Sequence, residues 1–571
     1  MNNNVIIQTT SSNFPSFIEN GCYYVDKTLL VKDIVSRARQ VSLYTRPRRF
    51  GKSLNQSMLQ AFFDVQNAEM NAHLFDNLAI SSEKEICEKH QGKYPVIKLS
   101  FASLVMNTID ENFEQLFWKL EEGLTPFRSI LNDPKNGNYP NQDVLKNFVN
   151  STTPISNHSI IRQLTEFLHQ YYGSKCVVLL DEYDVPLQTA FRLKYYDKML
   201  PVVKSLMTST FKDNPHLQYG VITGCLKVAK ESIFTGFNNP YVNTILTNDT
   251  NGERFGFTQS EVDDMLQACD LWNCRDIVKE WYDGYRFGRN EVYNPFSVAN
   301  FMDATLLAPD REPQTIPFWS NSSGNDILRD ILLADTSDDT FRKMQILLDG
   351  GTVTFPIVEN TVYRGFESNP ETLWSTMLFT GYLKPAAIFP PNTREIAMEI
   401  PNKEVRQIIE ETFLKWMKKS LRPMANSRPL LDAFLNGDEE KVQSEFGRQL
   451  RLSISCSDCF WSFYPAFLQG LLMAVASNDY SVVSNREAGD GIPDLILMAN
   501  DNSSCAIIEI KSCKNPDDLP ASLAAAEQQF IDRKYGEDDS LNERFDRLYG
   551  FAIACSRKQC MVKSLNFKYG E

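Results

Sequence analysis

The sequence is short of positive charge. Its 58 lysines and arginines face 72 aspartates and glutamates, a formal net charge of −14, so long-range attraction cannot bring a polyanion to this chain. Any nucleic-acid contact has to come from local basic surfaces. Lys415, Lys418, Lys419 and Arg422 form one such run and Arg557, Lys558, Lys563 and Lys568 another; phosphate contacts there would be salt-dependent without conferring sequence specificity. Histidine is scarce too. The five residues at 73, 90, 158, 169 and 216 are too dispersed to suggest a histidine metal cage or a histidine general base. The longest apolar helical stretch, around 463 to 476, is too short to span a bilayer and is interrupted by Gln469. No Lys or Arg precedes Lys27, which argues against secretory and organellar targeting signals. The twelve cysteines are scattered, several on expected buried strands such as Cys176 and Cys505, and suggest reduced thiols. Cys456 and Cys459 with Cys555 and Cys560 lack the paired knuckle spacing of a zinc site. The expectation is a soluble, cytoplasmic protein with no membrane partner.

Against these absences stand two well-separated motifs. Near the C-terminal end, Cys505 to Lys511 is apolar and β-branched, and residues two apart on a strand share a face, so Glu509 and Lys511 point the same way. Pro493 to Ala499 is a second apolar run, separated from the first by the turn-like Asn500 to Ser504. The pair reads as an antiparallel hairpin that brings Asp494 beside Glu509. Two carboxylates at a strand-pair end supply hard oxygen ligands for Mg²⁺, which can polarise a phosphoryl oxygen and lower the pKa of a bound water. Lys511 would orient that water or neutralise developing charge. Around the hairpin, Phe463 to Ala476 reads as a helix, Tyr480 to Glu487 as a strand, Pro520 to Tyr535 as a helix and Leu548 to Ser556 as a buried strand. The order is αβββαβ. In that order the region resembles the PD-(D/E)xK nuclease superfamily, in the branch fused to an ATPase-like domain. The resemblance implies that Asp494, Glu509 and Lys511 are the core motif, that Glu487 is a further acidic position and that Gln529 is the helix glutamine.

The other motif, Arg46 to Ser53, ends in the Gly51-Lys52-Ser53 of a phosphate-binding loop but has Arg46 where the first glycine normally stands. Val41 to Tyr44 reads as the strand before it. Leu54, Met58, Leu59 and Phe62 fall on one face of the helix after it, whose N-terminal amides and dipole would meet phosphates. Lys52 would contact the β and γ phosphates of ATP, and Ser53 would hold Mg²⁺. Lys175 to Glu182 is an apolar strand ending in two acids; Asp181 would hold the metal through water and Glu182 would activate the attacking water. A third strand, Gln218 to Thr223, places Thr223 as a candidate sensor of the γ-phosphate.

Tyr23 to Thr28, RPRRFGKSL, LLDEYDVPL, ITGCLKVAKESIFTGFNN and the WYDGYRFG and VYNPFSV segments together resemble the AAA-ATPase-like family that accompanies this nuclease type. That family also places arginines in the phosphate loop, where Arg48 and Arg49 lie. Two readings stand for them: a clamp over the phosphates in cis, or loop-fixing partners of Asp184 and other acids.

The expected fold class is α/β: an AAA-like P-loop NTPase domain over 1–300, a helical or winged-helix-like connecting region over 301–430, and a PD-(D/E)xK domain over 431–571. The proline-rich stretches 385–401 and 423–429 read as linkers. The expected function is ATP binding and hydrolysis coupled to Mg²⁺-dependent cleavage of nucleic acid, DNA ahead of RNA, with room for a homo-oligomer. Two alternatives remain: an ATP-controlled switch or scaffold whose nuclease-like domain binds without cutting, and a purely regulatory ATP binder.

Overall fold

The computed structural model describes residues 5–37, 39–104, 108–133, 139–227, 240–247, 250–321, 338–358, 370–388, 393–421, 427–453, 463–475, 479–483, 486, 488–513 and 515–566. The chain forms two compact units. Met1–Asn325 with Thr354–Gln407 make the first, and Asp326–Val353 with Ile408–Glu571 the second.

The first unit is built on strands β1 (Val41–Thr45), β2 (Val96–Ser100), β3 (Cys176–Asp181), β4 (Leu217–Gly224) and β5 (Tyr241–Asn243), all parallel, in the order β2-β3-β4-β1-β5. β1 and β3 are buried along their whole length, the pattern of a parallel sheet covered on both faces. Three of these strands were legible as apolar runs; β2 and β5 complete the sheet at its two edges. The carboxyl ends of β1, β3 and β4 lie side by side, where ligands bind in open α/β sheets.

The helix Lys52–Phe63 follows β1. It is buried almost all round, including Lys52, Asn55, Gln56 and Ser57, instead of presenting one apolar face. The reason is its place between the sheet and the helix Phe14–Glu19, whose first amide donates to Ser57 Oγ at 3.0 Å. Farther along, the helices Gln259–Ala268, Arg275–Tyr282 and Pro295–Leu307 share a core of Val262, Leu266, Val278, Tyr282 and Phe301. β6 (Tyr285–Phe287) and β7 (Asn290–Val292) form a hairpin beside them.

The stretch read as a linker at 385–401 contains strands. β8 (Val353–Pro356), β9 (Lys384–Pro385) and β10 (Glu395–Glu399) form a sheet in the order β8-β10-β9. Pro385 sits on the edge strand β9, where a missing ladder amide is tolerated. Residues 301–430 do not form one helical body: 354–407 group with the first unit and 326–353 with the second. Residues 423–426 of the second expected linker lie outside the described residues, and Arg428–Leu435 is helical.

The second unit holds β11 (Tyr480–Val483), β12 (Leu495–Ala499), β13 (Cys505–Ser512), β14 (Leu548–Ser556) and β15 (Gln559–Asn566) in sequential order. Every pairing is antiparallel except β13 with β14. The parallel step needs a crossover, supplied by the helix Leu519–Asp532. Alternation then divides the side chains. Leu495, Leu497, Ile508, Ile510, Phe551 and Ile553 pack under the helices Arg428–Leu435, Glu439–Ser453 and Phe463–Val475. Ile496, Met498, Cys505 and Ile507 face Phe530 and Tyr535 on the other side. Both faces are thus closed, and Glu509, in phase with Cys505 and Ile507, falls on the crossover-helix side.

Candidate functional site

In the first unit the loop after β1 turns through Arg49 (φ 69°) and Gly51 (φ 76°), both left-handed. Gly51 is the N-cap of the helix Lys52–Phe63, and a Cβ there would meet nothing within 4 Å. Backbone conformation, not space, asks for glycine at this point.

Arg46 explains the irregular loop signature. Its side chain is fully buried and leaves the loop altogether. It donates to the carbonyls of Thr45 (2.8 Å) and Asn243 (3.1 Å) and to Asn243 Oδ1 (2.5 Å), between the rings of Phe255 and Phe287. The arginine ties β1 to β5 and stands clear of the phosphate position.

Lys52 Nζ lies 3.2 Å from Glu182 Oε1 and donates to the carbonyls of Arg46 (3.2 Å) and Pro47 (3.1 Å). Burial works against its charge, and the surrounding Cys225, Glu182, Asp181 and Asp184 more than offset it, so its pKa rises. Ser53 Oγ donates to Asp181 Oδ2 and Thr223 Oγ1 to Asp181 Oδ1, both at 2.5 Å. Asp181 is raised above the usual carboxylate range by burial and by Glu182. The serine and aspartate that would hold Mg²⁺ are therefore already in contact and fit that ion. Thr223 faces Asp181 and Gln56. The residue beside the lysine is instead Cys225, whose Sγ is 3.6 Å from Lys52 Nζ and 3.9 Å from Glu182 Oε2.

Asp184 also went unread as a site residue. Fully buried, it accepts the amides of Cys225 (3.2 Å) and Leu226 (2.9 Å) and the Gln188 side chain (2.8 Å). Burial, with Glu182 nearby, pushes it up to about 6. A Cβ on Gly224 would come within 2.6 Å of Asp184 Oδ1, so glycine is what allows β3 and β4 to close here. The DEYD spacing was the available signal for Asp184. Arg48 donates to Gln188 at 3.2 Å, and exposed Arg49 lies over the Phe296 ring at 4.4 Å.

In the second unit the β12–β13 hairpin sets Asp494 next to Glu509. The Ile510 amide donates to Asp494 Oδ2 at 2.7 Å. Lys511 Nζ is 2.9 Å from Glu509 Oε1. Glu509 is only 2% exposed, and its Oε2 has no hydrogen-bond partner among the described residues. Burial first, then the Asp494 charge, push its carboxyl up to about 7; burial raises Asp494 as well. An orphaned, buried carboxylate oxygen beside a second acid fits a divalent cation. Gln529 lies on the crossover helix, and the nearby Tyr535 hydroxyl donates to the Ile492 carbonyl at 3.0 Å and borders both acids. Glu487 lies outside the described residues. So do the side chains of the 415–422 basic run and Lys568; Arg557 and Lys563 are exposed.

Parallel sheet, phosphate loop and acid-ended strand define the first unit as a P-loop ATPase-like fold, and the sheet with Asp494, Glu509 and Lys511 defines the second as nuclease-like. Residues 9–234 match the family described as Predicted AAA-ATPase, and residues 463–565 match the PD-(D/E)XK nuclease superfamily. The chain thus carries a predicted AAA-ATPase domain and a PD-(D/E)XK superfamily domain in one polypeptide. It is 25% identical over 427 residues to an uncharacterized protein in the vnfD 5′ region of Azotobacter chroococcum mcd 1, covering 74% of this chain and 73% of that one. Among solved structures it is similar to the Walker-type ATPase paby2304 of Pyrococcus abyssi (13% identity, TM-score 0.33, 67% of this chain and 94% of that one). It is also similar to the ORC2 protein of Aeropyrum pernix (10% identity, TM-score 0.29, 68% of this chain and 93% of that one). No helix among the described residues is long and apolar enough to cross a membrane.

Proposed function

We propose that this chain binds and hydrolyses ATP in its first unit and cuts nucleic-acid phosphodiesters, DNA ahead of RNA, in its second, in a cytoplasmic setting. The observation that carries the cutting is the buried Glu509 carboxylate, with one oxygen on Lys511 and the other unpartnered among the described residues, directly beside Asp494. Leaving such an oxygen bare costs stability, which a ligand would repay.

Mg²⁺, when bound, supplies Lewis acidity toward a phosphoryl oxygen and a more acidic water. Asp494 and Glu509 would hold it in the second unit, Ser53 and Asp181 in the first. Lys511 then places a positive charge where the phosphoryl group becomes more negative. In the first unit Lys52 neutralises phosphate charge, and Glu182, once released from Lys52, is free to accept a proton from water. A cleavage assay on duplex, single-stranded and branched DNA and RNA, with and without ATP and Mg²⁺, tests the reading. Loss of all cutting on removing Mg²⁺ is expected; no cutting of any substrate under any condition would overturn it.

A further inference from the structure

Cys555 and Cys560 face each other across the β14–β15 hairpin on the sheet face opposite Glu509. They are direct register partners. The hairpin turns through Arg557 and Lys558 alone, with Arg557 left-handed (φ 52°). In such a two-residue turn Ser556 and Gln559 close the hydrogen-bonded ring, so alternation makes the cysteines a non-hydrogen-bonded pair, with Cα atoms about 4.5 Å apart. Disulfides span Cα separations of about 4.4–6.8 Å. The side chains also share a face: Cys555 is buried in the cluster under the helices, and Cys560 packs against that same cluster. Both are thiols.

Their surroundings differ in a way that orders their chemistry. Cys555 is fully buried, whereas Cys560 is partly exposed, with its Sγ 3.6 Å from the Gln443 carbonyl. Burial pushes the Cys560 thiol up to about 12, against the opposing charge of Arg451. Exchange at neutral pH is therefore slow and accelerates with pH.

We propose that Cys555 and Cys560 are a reversible modification site: a dithiol that an oxidised low-molecular-weight thiol such as glutathione disulfide converts to a cross-strand disulfide pinning the edge strand β15 to β14. Cys560 sulfur loses its proton and attacks the small disulfide, forming a mixed disulfide and releasing one glutathione thiolate. Cys555 sulfur then loses its proton and displaces the second glutathione. The two protons end on the two glutathiones; two protein thiols are oxidised to one disulfide, and one small disulfide is reduced to two thiols. Because the pair lies on the face away from Asp494 and Glu509, the site stands independently of the cleavage reading.

The test uses the full chain, incubated with excess glutathione disulfide, quenched with a thiol alkylator and digested with trypsin, which cuts after Arg557 and Lys558. The expected product is the Leu548–Arg557 peptide joined by a disulfide to the Gln559–Lys563 peptide, separated again by dithiothreitol. Oxidation should also raise the unfolding midpoint of wild type and leave that of Cys560→Ser unchanged. If Cys560 stops at the glutathione mixed disulfide while Cys555 remains alkylatable after denaturation, or if both thiols persist under excess oxidant, the proposal is overturned.

Discussion

Lys52 Nζ sits 3.2 Å from Glu182 Oε1, so the residue expected to neutralise phosphate and the residue expected to activate water are ion-paired with each other. Glu182 reaches this position from a left-handed backbone (φ 53°), a conformation that non-glycine residues adopt only when the surroundings enforce it. Here the Thr223 carbonyl takes the Tyr183 amide at 3.1 Å and Asp184 anchors the following turn. On the proposed function, phosphate is expected to draw Lys52 away before Glu182 acts.

Two substitutions test this pair. Lys52→Ala should weaken ATP binding by at least about tenfold, since a buried charge-assisted contact to phosphate is lost. Glu182→Gln should keep or tighten ATP binding, because Lys52 loses a competing anion, and should abolish turnover. Calorimetry with ATP checks both; wild-type affinity in Lys52→Ala would remove the phosphate-loop assignment.

Arg46 gives a less obvious test. Arg46→Gly restores the usual loop signature, yet should not improve nucleotide binding, because the side chain lies in the core on Thr45 and Asn243. It should instead destabilise the first unit by roughly 2–4 kcal/mol, through a cavity and unsatisfied carbonyl and amide oxygens. A chemical denaturation series decides; an unchanged midpoint would show the guanidinium to be dispensable.

The same arginine shows what the sequence could and could not convey. The strands that carry chemistry, β1, β3, β4, β12 and β13, are short, predominantly apolar runs, and that pattern is local. So is the pairing of Asp494 with Glu509, which needs only a hairpin and a period of two. Arg46, by contrast, has its meaning in Asn243, about two hundred residues away, and no local pattern announces that contact. β9 and β10 were hidden by the prolines at their margins, and β5 is too short to show a period. Thr223 was chosen as the last polar residue of an apolar run. The backbone carries two residues further before it reaches Lys52, and there the side chain is the thiol of Cys225.

Glu509 should be costly to the fold in the absence of metal. Glu509→Gln removes the ionisable acid from a site 2% exposed and should raise the unfolding midpoint of the metal-free chain, while eliminating Mg²⁺-dependent cutting. Asp494→Ala should eliminate cutting as well. Thermal unfolding with a chelator, and then with Mg²⁺, separates the effects: Mg²⁺ should stabilise wild type by more than it stabilises Glu509→Gln, which keeps the first-unit position. A lower metal-free midpoint in Glu509→Gln would mean that its carboxylate is a structural partner.

Glu404 predicts a pH dependence in the first unit. Its carboxylate is buried and accepts the Ser297 hydroxyl (2.8 Å) and the Trp319 amide (2.9 Å); burial, only partly countered by these donors, raises it from 4.5 to about 7. The unfolded chain releases this proton near 4.5 and the folded chain near 7, so the folded state binds more protons between those values and stability falls as pH rises through that window. The full effect is on the order of 3 kcal/mol. Glu404→Gln keeps an acceptor for both donors and cannot ionise, so it should flatten this part of the profile. Denaturation midpoints of the two proteins from pH 4.5 to 7.5 make the comparison. Parallel profiles would show that Glu404 keeps its ordinary acidity in the fold.

Nucleotide binding in the first unit is expected to bias the second, provided ATP has different affinity for two arrangements of the chain. Coupling of this kind is reciprocal: nucleic acid must tighten ATP binding by the factor by which ATP tightens nucleic-acid binding. The measurement uses the Glu182→Gln, Asp494→Ala chain, which should neither hydrolyse nor cut, with ATP affinity taken with and without a saturating oligonucleotide. A several-fold tightening is expected. Identical affinities with every oligonucleotide that binds would leave two independent centres on one polypeptide.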